Sequence, residues 1–444
     1  MLAWVSTKIF GVSAESLKLV SLVAGTATIP LTYLLGRRLV GARAGLLAAA
    51  LVALSPFLIY YSSEGRPYAL LVLLVLLATL SLLRALRTMR WTWWLAYAVF
   101  ACAAAYTHFT SVFPLAGIFL WALLSQPQAR RQIVLATAGA VVGFLPWLPT
   151  LIKTTRSPGT KLYQTLEPFS LHAIRFDLGH WAIGHPYQTL AEIPGSWAVL
   201  LGVLGVVLAL AGVAQRWAFS GRRQPWRRPS AEHVLVAVLA LAAPVGAALY
   251  SELRESVWGA RNVIAAWPGF AVALAALASC PRLPWRIPAT LLIVVAYAVG
   301  AVEMFPQRYH RPDYQDAVVY INRLDPHGPL ADLVAPTPGP PSATEAALTL
   351  AGTSHAHPDF RIGLPPLKAV LAAAAAGNGL LFLVLPSAVS FRTLESTRAR
   401  HLHDNRSELS TFATFLGALP ARFRPETART FTGFAPVTVY VYRG

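Results

Sequence analysis

The residues best suited to chemistry stand where apolar stretches end. The segment 55–68, SPFLIYYSSEGRPY, brings Glu64, Arg66 and Tyr68 close together. A charged side chain facing lipid tails costs several kcal/mol, so neither Glu64 nor Arg66 belongs on a lipid-facing helix. The planar fork of Arg66 matches the oxygens of a phosphate, and Glu64 would then orient that fork or accept a sugar hydroxyl. The plainer alternative is an interfacial turn with a tyrosine belt and a local ion pair. His108, in YTHFTS at 106–111, sits between two apolar stretches with almost no loop. Alone it reads as a hydrogen-bonded turn residue, and it gains weight only by sharing a membrane face with Glu64 and Arg66. Arg261, in RESVWGARN at 254–262, is the cation nearest the start of the next apolar stretch. It either holds an anion together with a helix N-terminus or anchors the interface.

Other groups carry less. Segment 153–196 holds His172, Arg175, Asp177, His180 and His185 among Phe169, Phe176, Trp181 and Tyr187. No tight ligand spacing such as HExxH is present, so no metal site is expected, and the segment reads instead as an amphipathic outer helix lying on the membrane and lining a sugar site. The pairs His355 and His357, and His401 and His403, are given no role. Cys102 and Cys280, the only two cysteines, fall on distant apolar stretches, which argues against a disulfide or zinc site. There is no phosphate-cradling glycine loop, and no cofactor is expected, with a divalent metal as the lesser alternative.

The elements that must position these residues can be read from composition. Hydrophobic residues make up 56 % of the 444-residue chain and charged residues 13 %, against roughly 25 % charged in soluble domains. The apolar excess lies before residue 305, in about ten stretches long enough to approach the ~18 residues that cross a bilayer. They run 17–36, 42–61, 68–86, 91–106, 108–125, 132–152, 197–215, 233–250, 263–280 and 287–304. Arginines cluster in alternate loops: Arg37, Arg38 and Arg43; Arg84, Arg87 and Arg90; Arg130 and Arg131; Arg216, Arg222, Arg223, Arg227 and Arg228; Arg282 and Arg286. Those loops are cytoplasmic by the positive-inside rule, which puts the five candidate residues, segment 153–196 and everything after Phe305 outside. The net charge of +18 is explained by the same loops, so no nucleic acid partner is inferred. An even number of spans also leaves the first sixteen residues outside with nothing before them to carry them across and no signal peptide, so an upstream helix is expected. The expected domains are 1–304, in the membrane, and 305–444, a small extracytoplasmic α/β unit. In the latter, strand-like runs at 379–385 and 437–442 alternate with helix-like stretches at 312–324, 367–376 and 407–416, and PTPGPP at 336–341 reads as a loop.

The succession LKLVSLVAGTATIPLTYLLGRR at 17–38, SPFLIYYSSEGRPYAL from Ser55, YTHFTS at 106–111 and WGARNVIAAWPG from Trp258 resembles bacterial membrane glycosyltransferases. These are relatives of the protein O-mannosyltransferases and the lipid A aminoarabinose transferases, of the GT-C fold. The resemblance covers most of the membrane part and, more loosely, the tail from RYHRPDYQDAVVYIN onward. It implies an α-helical polytopic protein of the bacterial inner membrane. It also implies inverting transfer of a sugar from a polyprenyl-phosphate donor to an extracytoplasmic acceptor, with Glu64, Arg66, Tyr68, His108 and Arg261 binding substrate. In the family a further helix and an outer loop with the catalytic acid come first, and LAWVSTKIFGVSAES is similar to the stretch just after that loop. No catalytic residue is therefore assigned here. Two rival readings stay open: a non-catalytic scaffold on the same fold, and a transporter or flippase of lipid-linked glycans, which would show inverted repeats and broken midplane helices.

Overall fold

The computed structural model describes residues 2–155, 169–218, 230–309, 313–332, 347, 359–361, 379–385, 422–433 and 436–444. The chain divides into two compact units, Met1–Met304 and Phe305–Gly444.

The first unit is helical because its sequence offers long apolar runs with few breakers, and inside a bilayer only a helix satisfies every backbone group within one segment. In chain order the helices are α1 (Leu2–Phe10), α2 (Ala14–Leu39), α3 (Ala42–Leu54), α4 (Pro56–Ser62), α5 (Tyr68–Thr88), α6 (Trp91–Thr107) and α7 (Val112–Ser125). After them come α8 (Arg130–Phe144), α9 (Leu148–Thr155), α10 (Leu171–Ile183), α11 (Ser196–Ala218), α12 (Ala231–Leu253), α13 (Trp267–Ser279) and α14 (Leu283–Glu303). Ser13 opens α2 with a reciprocal cap, its hydroxyl accepting from Ser16 N at 3.1 Å while the Ser16 hydroxyl accepts from Ser13 N at 3.1 Å. Thr28 and Thr32 donate to the carbonyls one turn back, which hides two hydroxyls inside an apolar helix. Small residues let spans approach: a Cβ on Gly36 of α2 would lie 2.8 Å from the Gly45 Cα of α3.

All ten apolar stretches read from the sequence are helical. Among the described residues seven helices are long and apolar enough to cross a membrane, or eight if α3 and α4 count as one broken span. The stretch 42–61 is not a straight span: α3 and α4 meet at 61°. Pro56 lacks the N–H that a continuing helix needs, and Ser55 starts a new helix by accepting from Leu58 N at 3.3 Å. This bend swings Tyr60, Tyr61 and the Glu64–Arg66 turn away from the axis of α3. The segment at 171–183 is a helix, as expected. Its last turn is held by donors from two spans, with Trp267 Nε1 donating to Trp181 O at 2.7 Å and the Tyr297 hydroxyl donating to Ala182 O at 2.6 Å.

Among its described residues the second unit carries α15 (Tyr314–Leu324) and five strands: β1 (Leu330–Asp332), β2 (Asp359–Arg361), β3 (Leu380–Leu385), β4 (Arg424–Phe431) and β5 (Val437–Arg443). The sheet order is β2-β1-β3-β5-β4, with β1 parallel to β2 and β3 and with β5 antiparallel to β3 and β4. Asp313 caps α15, and Ala317, Val318 and Ile321, at helical spacing, pack with Leu330, Phe382, Val384 and Val439 in one core. The expected helices at 367–376 and 407–416, the loop at 336–341, Glu167, Arg222, Arg223, Arg227, Arg228 and the histidines at 355, 357, 401 and 403 lie outside the described residues.

Candidate functional site

The turn between α4 and α5 is built from short side chains that bind their own backbone. Ser62 and Ser63 donate to the carbonyls of Leu58 and Tyr60. Ser21, on α2, donates to the Arg66 carbonyl at 2.9 Å and fixes the turn from outside. Glu64 is only 5 % exposed, and its Oε1 lies 3.5 Å from Arg66 Nε, while the Arg66 side chain is 60 % exposed. The carboxylate thus holds the guanidinium from behind, and the charge of Arg66 faces outward.

Between α6 and α7 the chain turns at His108, which closes α6 with its backbone and opens a short 3-10 turn with its ring. Thr110 N donates to His108 Nδ1 at 3.4 Å, and the Thr110 hydroxyl lies 2.8 Å from the same nitrogen. With Nδ1 accepting, the proton of the neutral ring sits on Nε2. Burial, aided by Arg261, holds His108 down to about 4, so the ring is neutral at physiological pH. Tyr68 lies beside it, with ring centroids 5.6 Å apart.

The loop after α12 is tied at both ends. Val257 N donates to the Ser251 hydroxyl at 2.9 Å, and Asn262 Nδ2 donates to Val257 O at 2.9 Å. These bonds place Glu255 and Arg261 on a defined loop that runs into the 3-10 segment Ala260–Ala266 and then into α13.

Arg66, Tyr68, His108 and Arg261 line a single cavity of about 1040 Å³, joined by Glu255, Ser256 and Asn262. Four of the five residues singled out in the sequence therefore meet in one place, and Glu64 stands behind Arg66. Below this polar group the wall is almost wholly apolar, made by α6, α7 and α8 through residues such as Ala105, Leu115, Phe119, Val141 and Phe144. Its polar exceptions include Ser111, Tyr250, and Tyr97 and Thr137, whose hydroxyls are 3.2 Å apart. The sequence marks Glu255 only as one of several carboxylates on the outward loops, in the same stretch as Arg261, and does not single out Ser21, Tyr97 or Thr137. A phenol in the middle of an apolar stretch was the available signal for Tyr97, whereas nothing local marks Ser21.

The histidines of 171–185 do not line this cavity. His180 and His185 are buried, with His180 Nδ1 2.7 Å from Phe176 O and His185 Nδ1 accepting from Tyr187 N at 3.1 Å. Among the described residues no three His, Cys, Asp or Glu side chains gather to hold a metal ion. The arrangement can seat an anion at the polar end of a long apolar groove, which is the shape of a phosphate on a lipid chain.

Residues 1–152 match the model of the dolichyl-phosphate-mannose-protein mannosyltransferase family. Among solved structures the chain is similar to ArnT from Cupriavidus metallidurans in the apo state. The TM-score is 0.55 at 12 % identity, covering 99 % of this chain and 86 % of that one. It is likewise similar to ArnT from the same organism bound to undecaprenyl phosphate, with a TM-score of 0.52 at 12 % identity and coverage of 99 % and 86 %. A more distant likeness is to the oligosaccharyltransferase of Archaeoglobus fulgidus in the apo form, with a TM-score of 0.44 at 14 % identity, covering 86 % of this chain and 60 % of that one. No curated protein sequence matches the chain.

Proposed function

We propose that this multi-pass membrane chain of the GT-C fold is an inverting glycosyltransferase of the bacterial inner membrane, taking its sugar from a polyprenyl phosphate and passing it to an extracytoplasmic acceptor. One observation carries the reading: Arg66, Arg261 and a neutral His108 line the polar end of a cavity whose remaining wall is almost entirely apolar. A polyprenyl phosphate has the same division, with its chain kept in apolar surroundings and its charge at the membrane surface. ArnT, similar in fold, has been captured with undecaprenyl phosphate, and the family pattern over residues 1–152 is that of enzymes named for a dolichyl-phosphate sugar donor.

In the reaction the acceptor attacks the anomeric carbon while the bond from that carbon to the phosphate oxygen breaks, its electron pair staying on the phosphate. The phosphate then gains a second negative charge, and guanidinium groups already in place stabilise it without reorganising. A general base must take the acceptor proton, and that role is assigned to no residue. Washed membranes containing the protein should move label from one member of a panel of polyprenyl-phosphate sugars into an envelope acceptor. Membranes with Arg261→Ala should do so at least about tenfold more slowly. Failure of every donor in the panel, with the protein folded and inserted, would leave the scaffold reading standing.

A further inference from the structure

The cavity must release a spent lipid phosphate that is more negative than the donor it binds. The sugar-bearing donor is a phosphodiester with one negative charge. The spent carrier is a monoester whose second pKa lies near 6, so it carries close to two charges above neutral pH. Guanidinium groups alone would hold the product more tightly than the substrate, and turnover would suffer.

Glu255 is the one carboxylate among the described residues that line the cavity. It is exposed and sits on the loop pinned by Ser251 and Asn262, on the same short segment as Arg261, and lines the same cavity as Arg66. Glu64 lies behind Arg66 and is buried, so its charge is matched by that arginine. His108 is neutral and contributes a donor without a charge. The charged side chains among the described residues that line the cavity are therefore Arg261, Glu255 and Arg66, the last of which shares its charge with Glu64.

We infer that Glu255 is the specificity-determining residue by which the site tells a sugar-loaded lipid phosphate from a spent one. Its carboxylate accepts hydrogen bonds from hydroxyls of the donor sugar and repels the second charge of the bare phosphate. The inference rests on the lipid-phosphate reading above, and the experiment separates the two.

Binding of undecaprenyl phosphate and of its monomethyl ester is measured on the detergent-solubilised full chain at pH 8 and low salt. The methyl ester carries one charge and no sugar, so it isolates the electrostatic part. Because Coulomb energy is linear in ligand charge, removing the Glu255 charge should tighten the dianion by the square of the factor for the monoanion. For Glu255→Gln the expectation is about threefold for the ester and about ninefold for the phosphate, shrinking at high salt because Glu255 is exposed and screened. Glu255→Asp keeps the charge and should match the wild type. A structural loosening would weaken both ligands, or change both by one factor, and either result overturns the inference. So does an Asp variant that behaves like Gln. Wild-type protein that binds neither lipid would instead sink the lipid-phosphate reading, and the inference with it.

Discussion

At the scale of single residues, the site depends on how each charge is held. Arg66 presents its fork outward because Glu64 and the Ser21 hydroxyl fix the turn beneath it. Lysine in its place keeps the charge but loses the planar pair of donors. Arg66→Lys should therefore weaken undecaprenyl-phosphate binding at least about tenfold, nearly as much as Arg66→Ala. Full binding by the lysine variant would reduce Arg66 to a generic positive charge. Histidines set the acid limit. Burial, helped by the nearby His180, holds His185 down to about 4 from an ordinary value of 6.5. A folded state that refuses a proton the unfolded chain accepts is fully stable above pH 6.5. It loses stability as pH falls below that value, and the loss levels off below about pH 4. For His185 this comes to about 2 kcal/mol at pH 5. Thermal unfolding in detergent should show a lower Tm at pH 5 than at pH 7.5, and His185→Gln should shrink that difference. An undiminished difference would place the acid sensitivity elsewhere.

Among the elements, α6, α7 and α8 form the apolar wall, while the polar rim comes from the turn before α5, from His108 at the end of α6 and from the loop after α12. The Tyr106 hydroxyl donates to Gly143 O at 3.0 Å and ties the outer ends of α6 and α8 together. Tyr97 lies ten residues before the end of α6 at Thr107, so at 1.5 Å per residue the groove reaches about 15 Å down that helix. That is near half of the ~30 Å hydrocarbon core. Only the first few isoprene units of a carrier fit beside Ala105 and Val141, the rest of the chain staying in lipid. Ala105→Trp should block this passage and lower affinity for undecaprenyl phosphate by about tenfold or more, since the indole displaces chain from apolar contact. Far-UV circular dichroism and gel filtration check that the variant is folded. Normal affinity in a folded variant would mean that the lipid enters by another route.

For the whole molecule, we propose from the arginine count an orientation with the arginine-rich loops in the cytoplasm. A reporter fused after Leu283 should read cytoplasmic and one fused after Phe305 external. The opposite signals would overturn the assignment of every loop, because all of them rest on the same count. The unit from Phe305 onward has its own sheet and its own core. Since a polyprenyl phosphate keeps its chain in the bilayer, donor binding should belong to the first unit and acceptor handling to the second. Removing 312–444 should leave binding of undecaprenyl phosphate within about threefold of the full chain, given that every described residue lining the groove precedes 305. Loss of that binding from a folded first unit would make the second unit part of the donor site.

The sequence by itself determined the helical membrane class, the ten apolar stretches, the strand-like runs at 379–385 and 437–442, and the polar groups at the helix ends. Each of these is written locally: a run of apolar side chains is helical in lipid whatever surrounds it, and a charge at its end marks the surface. Only the tertiary structure decided that Arg66, Tyr68, His108 and Arg261 share one cavity, because 195 positions separate the first from the last and no local pattern encodes which spans become neighbours. Only packing could show the last turn of α10 held by Trp267 and Tyr297, since both donors come from distant helices. The break at Ser55–Pro56 was legible as a proline, but its 61° bend depends on what α4 packs against. Glu255 was legible in the sequence only as an outward carboxylate beside Arg261, because a carboxylate on a loop acquires a role only when the fold puts a cavity in front of it.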